Sequence, residues 1–161
     1  MVNKDKMTSK AFVQELYLGL IKQVSSDISN FTRSEVASRE ALIACMWVAF
    51  NVFMAYENVR RYLLLFYALD QHAGEKPEND EEMRALLDLA QGELSKRFSE
   101  YDEKAPGGFG LGSFLWPTML GNMRGGESLE LDAEATFSVS TQLMKMMKEL
   151  VELRDNTEIT D

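Results

Sequence analysis

Apolar residues recur every three or four positions along most of this chain, and one stretch departs from that rhythm by being apolar on all sides. It runs from Ala41 to Leu69. The segment ALIACMWVAFNVFMAY holds a single strongly polar residue, Asn51, and after Glu57, Asn58, Arg60 and Arg61 the apolar character returns as YLLLFYAL. A helix that is apolar all round has to be shielded nearly all round, by its own chain, by a second copy or by lipid. The other segments read as its cover.

From Ser9, the positions Phe12, Val13, Leu16, Tyr17, Leu20, Ile21, Val24 and Ile28 predict an amphipathic helix, capped by Thr8 or Ser9 and ended by the polar run near Ser25–Asn30. Ser34 is placed to cap a second helix, and neither Pro nor Gly interrupts the chain from Glu35 until Gly74. As one rod over residues 34–73 that helix would be about 57 Å long, against about 30 Å for the first. The excess predicts either a bend near Glu57–Arg61 or a rod that outruns its cover and pairs with another copy, and the second is the expectation here.

Gly74 and Pro77 mark a turn, after which Asn79 with Glu82 predicts a capped third helix to about Tyr101, using Met83, Leu86, Leu87, Ala90, Leu94 and Phe98 as its apolar face. Gly92 weakens its middle and suggests the close approach of another helix. Residues 102–112, DEKAPGGFGLG, read as a linker, and SFLWPTMLGNM follows as a short apolar element. Asp132 and Glu134 then open the last helix. There Val139, Leu143, Met146, Leu150 and Leu153 form one row, with Phe137, Met144, Met147 and Val151 beside it. The prediction is an all-α fold: one domain over residues 1–161, a bundle of four main helices around the long apolar one, with residues 1–7 and 155–161 disordered. No strand pattern of useful length stands out.

Charge changes the picture by its distribution. The chain carries −9 overall, with 8 basic against 7 acidic residues over 1–74, 5 against 10 over 75–104, and 3 against 9 over 127–161. An acidic second half repels phosphate backbones, which argues against nucleic-acid partners and favours basic proteins. The single cysteine, Cys45, lies in the apolar run, and no secretory signal pattern opens the sequence, so a cytoplasmic protein is expected. The 16-residue run Ala41–Tyr56, bounded by Glu40 and Glu57, is short for a membrane span.

Catalytic constellations are hard to assemble from what is left. Gly107–Ser113 has the outline of a phosphate loop but lacks the lysine after Gly112, so a hinge is the better reading. The only histidine, His72, has Leu69 three residues before it, which removes the Glu-x-x-His pattern of carboxylate-bridged metals, and one His with one Cys is too few for a zinc site or a triad. No catalytic residue, metal ligand or cofactor is therefore assigned, and His72 reads as helix-end decoration. Glu57 and Arg61 suit an i,i+4 pair. Asn51 needs a hydrogen-bond partner and is expected to fix helix register.

Two functional expectations follow. The leading one is a non-enzymatic interaction module, an adaptor, regulator or inhibitor working as a homodimer. Its partner would be met by Phe109, Leu111, Phe114, Leu115, Trp116, Met119 and Leu120, apolar anchors between glycines, or by the acidic face. The alternative is a carrier or sensor of an apolar small molecule, with Trp47, Phe50, Asn51, Phe53 and Tyr56 around its pocket.

Overall fold

A computed structural model describes residues 4–30, 36–74, 76–105, 115–124 and 133–161. Those residues are mostly helical, as the periodicity predicts. The first rod, α1, is continuous from Ser9 to Ser29, with an internal π-helical turn at Tyr17–Ile21. It begins where the Thr8 side chain accepts the Ala11 N–H at 3.2 Å, satisfying one of the amides that a helix start leaves without a partner.

The single rod expected over 34–73 is instead two helices, α2 at Ala37–Val52 and α3 at Glu57–Gln71. The break falls at residues 53–56, just before the Glu57–Arg61 bend considered from sequence. No glycine or proline makes it. Phe53 leaves helical geometry and buries its ring against Phe12 (5.5 Å between centroids) and Tyr56 (5.9 Å), while Met54 turns out to solvent. Arg154, from the far end of the chain, donates to the Val52 carbonyl at 3.1 Å and so caps a helix end that would otherwise keep free acceptors. Folding back removes the overhang. α2 now lies in the middle, against α1, α3 and every later helix, and Ala41–Ala49 are all buried.

Helix α4 spans Asp80–Lys104, so the first three residues of the expected linker, Asp102–Lys104, are helical. Its start is capped by Asn79 as expected, with Asn79 Oδ1 accepting the Glu82 N–H at 2.9 Å, while Glu82 Oε2 reaches one residue beyond the cap to accept the Glu78 N–H at 2.8 Å. Gly92 faces open space rather than a neighbouring helix, which corrects the close approach expected there. Then follow α5 at Leu115–Met123 and α6 at Ala133–Asn156. With the long helix divided, the described residues form five main helices and the short α5, in place of four main helices. Ser34, Gly107–Ser113 and Asp132 lie outside the described residues.

Both chain ends were expected to be disordered, and the described parts are not. Strand β1 at Asp5–Met7 pairs in parallel with β2 at Thr157–Ile159, and the Thr160 N–H donates to the Met7 carbonyl at 2.9 Å. The Asp161 carboxylate accepts the Ser9 N–H at 2.6 Å at the start of α1. Three-residue strands joined across nearly the whole chain leave no local pattern to read.

Candidate functional site

A set of partly buried polar side chains gathers where α2, α3, α4 and α5 meet. Arg97 on α4 reaches Glu40 in the first turn of α2 through Nη2 (2.8 Å) and Nε (3.0 and 3.2 Å), and its Nη1 meets Glu100 at 3.2 Å. Glu100 also accepts from Asn122 on α5 at 3.2 Å. Hydrogen bonding to Glu40 raises the Arg97 pKa against the opposing effect of partial burial, so this fork stays charged. The two acids Glu40 and Glu100 thus converge on a guanidinium rather than on each other, which is an arrangement for holding helices in register.

Further along, Glu93 accepts from the Tyr67 hydroxyl, and its other oxygen lies 3.2 Å from His72 Nε2 and 3.9 Å from Arg39. Only 9% of the His72 side chain is exposed, so the residue read as helix-end decoration is packed into this junction. Tyr67 is held well above the usual phenol range, first by burial and then by Glu93. On the α1 side, Asp70 accepts from Lys22 (2.7 Å), Tyr17 (2.8 Å) and Gln71 (3.0 Å). Burial pushes its carboxyl up, but these hydrogen bonds outweigh that and hold it below the usual range. Trp47 donates its indole N–H to Asp102 at 2.9 Å. Apart from Arg97–Glu100 and Gln71–Asp70 these pairs join distant parts of the chain; Glu40 and Arg97 are 57 positions apart.

The residues expected to bind a partner divide in two. Phe109, Leu111 and Phe114 lie outside the described residues. Leu115, Trp116, Met119 and Leu120 sit on α5 and are buried against α2 and α6, so a partner would have to pull α5 from the core to reach them. The expected pocket residues pack on one another and on their neighbours. The Trp47 ring stands edge-on to Tyr101 at 6.0 Å, Phe50 to Phe98 at 5.2 Å, and Phe53 to Tyr56 as above. Asn51 donates to the Trp47 carbonyl of its own helix at 2.8 Å, a bond within one turn that sets no register between helices. The Glu57–Arg61 pair is 3.8 Å apart with both side chains more than 70% exposed, so it contributes little.

Cavities among the described residues include open grooves of about 420, 250, 220 and 200 Å³. None of these four is lined by Trp47, Phe50, Asn51 or Phe53, nor by Glu40, Glu93 or Arg97. Among the described residues, no group of three or more His, Cys, Asp and Glu is placed to hold a metal ion, and no helix is long and apolar enough to cross a membrane. Cys45 is fully buried, and burial pushes its thiol far above the usual range, so it has no thiolate to offer as a nucleophile.

One surface was missed because it lies within the stretch read as core. On α3, Val59, Leu63 and Tyr67 face inward, whereas Tyr62, Leu65 and Leu69 step three and four along the opposite face. Tyr62 leans on the core, but Leu65 and Leu69 stand outside it, and Leu69 is 36% exposed. The two helices that pack on α3, α1 and α4, each carry a prominent exposed leucine, Leu18 and Leu89, both 59% exposed. Comparison with family models, with curated protein sequences and with solved structures finds no match to this chain.

Proposed function

We propose that this chain is a non-enzymatic interaction module that works as a homodimer, with the outer face of α3 as its self-association surface. The observation that supports this reading is the pair Leu65 and Leu69, one turn apart on α3 and outside the packed core of the described residues, with Tyr62, which leans on that core, beside them. A second copy is the fitting occupant because the stripe runs along a helix, so two copies can lay α3 on α3 around a two-fold axis. A stable interface needs about 800 Å² from each partner, more than one helix face supplies. The flanking surfaces of α1 and α4, with Leu18 and Leu89, are therefore part of it.

Light scattering at micromolar concentration tests this. The expected mass is twice the 18.3 kDa of one chain, falling to 18.3 kDa in Leu65→Glu and Leu69→Glu. A monomeric parent protein, or a dimer that both substitutions leave intact, refutes it. The carrier reading has less behind it: of its residues only Tyr56 lines one of the four described grooves, the open 420 Å³ one, while Trp47, Phe50 and Phe53 pack on neighbouring rings.

A further inference from the structure

The largest of the described grooves, about 420 Å³, lies between β2 and the start of α3. Residues 157–159 and Asp161 form one wall, residues 55–59 the other, and Ser9 contributes at one end. What this groove presents follows from the register of the two-stranded sheet. Asp5, Lys6 and Met7 lie opposite Thr157, Glu158 and Ile159, and Thr160 donates its N–H to Met7. In a parallel ladder, alternate residues of a strand turn their amide groups to the same side. Glu158 and Thr160 therefore face β1, and Ile159 turns its N–H and C=O away from it, as Thr157 turns its carbonyl. That free edge borders the groove.

The ionisable side chains that line it share one sign, while Lys6 lies opposite Glu158 across the sheet and Arg61 sits 3.8 Å from Glu57. Glu57, Glu158 and Asp161 line the groove, and no Lys or Arg does. Asp161 accepts the Ser9 N–H, and these contacts with Ser9 hold its carboxyl below the usual range, so it stays ionised near neutrality. Thr157 and Ile159 put their side chains on the inner face of the sheet, with Ile159 against the core, and Glu158 points outward.

We propose that this groove takes an extended, Lys- or Arg-bearing peptide segment of a protein partner, which adds as a third strand on the free edge of β2. Main-chain hydrogen bonds to Ile159 and Thr157 hold the segment, and Glu57, Glu158 and Asp161 select its positive charge. The edge is three residues, about 10 Å at 3.3 Å per residue, so the bound segment is short and the affinity modest. The inference rests on the interaction-module reading only in taking the partner to be a protein, and it uses β2 and the first turn of α3 rather than the Leu65–Leu69 stripe further along that helix.

The test uses the full chain and three fluorescent heptapeptides: KVKVKVK, EVEVEVE, and KVKVKVK N-methylated at alternate residues along one edge. Anisotropy measures binding, and amide shifts locate it. KVKVKVK is expected to bind and to move the amide signals of Thr157, Ile159 and Glu57, with affinity falling as salt is raised. Glu57→Gln with Glu158→Gln weakens it about three- to tenfold, as expected for exposed charge pairs. The N-methylated peptide, which keeps every charge but loses its donors on one edge, binds at least tenfold more weakly, and EVEVEVE does not bind. The proposal is overturned if KVKVKVK fails to bind at millimolar concentration, if its shifts map to α4 instead, or if N-methylation leaves affinity unchanged. It is also overturned if the edge amides are already occupied by a second copy of the chain, seen as concentration-dependent shifts of Thr157 and Ile159 without peptide. A dimer by light scattering that ignores the peptide drops the groove and keeps the α3 interface; a monomer that binds the peptide does the reverse.

Discussion

Replacing Arg97 by Met removes the fork that ties α4 to the first turn of α2. The Arg97 side chain is 27% exposed and that of Glu40 only 13%, so the substitution strands a carboxylate with little water around it. Breaking a buried ion pair in this way costs about 3–5 kcal/mol; the exposed quarter of Arg97 admits some water, which brings the expectation to about 2–3 kcal/mol. Glu40→Met leaves Arg97 with Glu100 and solvent, and should cost about 1–1.5 kcal/mol. The double variant replaces both charges with apolar groups and should cost less than the sum, with a coupling of about 2 kcal/mol. Urea unfolding followed by circular dichroism gives all four stabilities. An Arg97→Met loss below about 0.5 kcal/mol, or additive losses, would show that the fork does not hold the helices together and would refute the structural role assigned to it here.

Three other outcomes are expected. Arg154→Ala removes the cap on Val52 and should cost about 1 kcal/mol in the same unfolding assay, with Arg154→Lys recovering part of it; no loss would mean that residues 53–56 hold their turn unaided. Trp116→Ala should destabilise by about 3–5 kcal/mol because the ring is buried in α5, so a drop in partner capture by that variant must be matched to its melting curve before it is read as a lost contact. Asp70 has a folded pKa below its ordinary value of 3.8, so its contribution is present above that pH and is lost as pH falls through the folded value. The stabilities of the parent and Asp70→Asn should converge in acid and separate toward neutrality; separation that persists below the folded value would mean that the carboxylate's charge is not what stabilises.

The helices were legible where one segment decides its own structure. α1, α4 and α6 follow from apolar spacing, and the caps at Thr8 and Asn79 from their side chains. The division of α2 from α3 was not legible, because it is made by partners distant in sequence. Phe53 finds Phe12, and Val52 finds Arg154 across 102 positions. The same holds for the β1–β2 pair and for the Arg97 fork. Of the candidate site, the apolarity of Leu115, Trp116, Met119 and Leu120 was visible, but apolarity alone does not distinguish an anchor offered to a partner from one turned inward, and these turn inward. Tyr62, Leu65 and Leu69 were counted with the core because the whole stretch was taken as one rod. Once α3 folds back as a separate helix, only one of its faces is needed inside.

Native mass spectrometry of the protein taken from its own cells bears most directly on the interaction-module reading. The account predicts a dimer at twice 18.3 kDa with no small molecule retained. A single chain carrying a bound apolar compound would contradict it and restore the carrier.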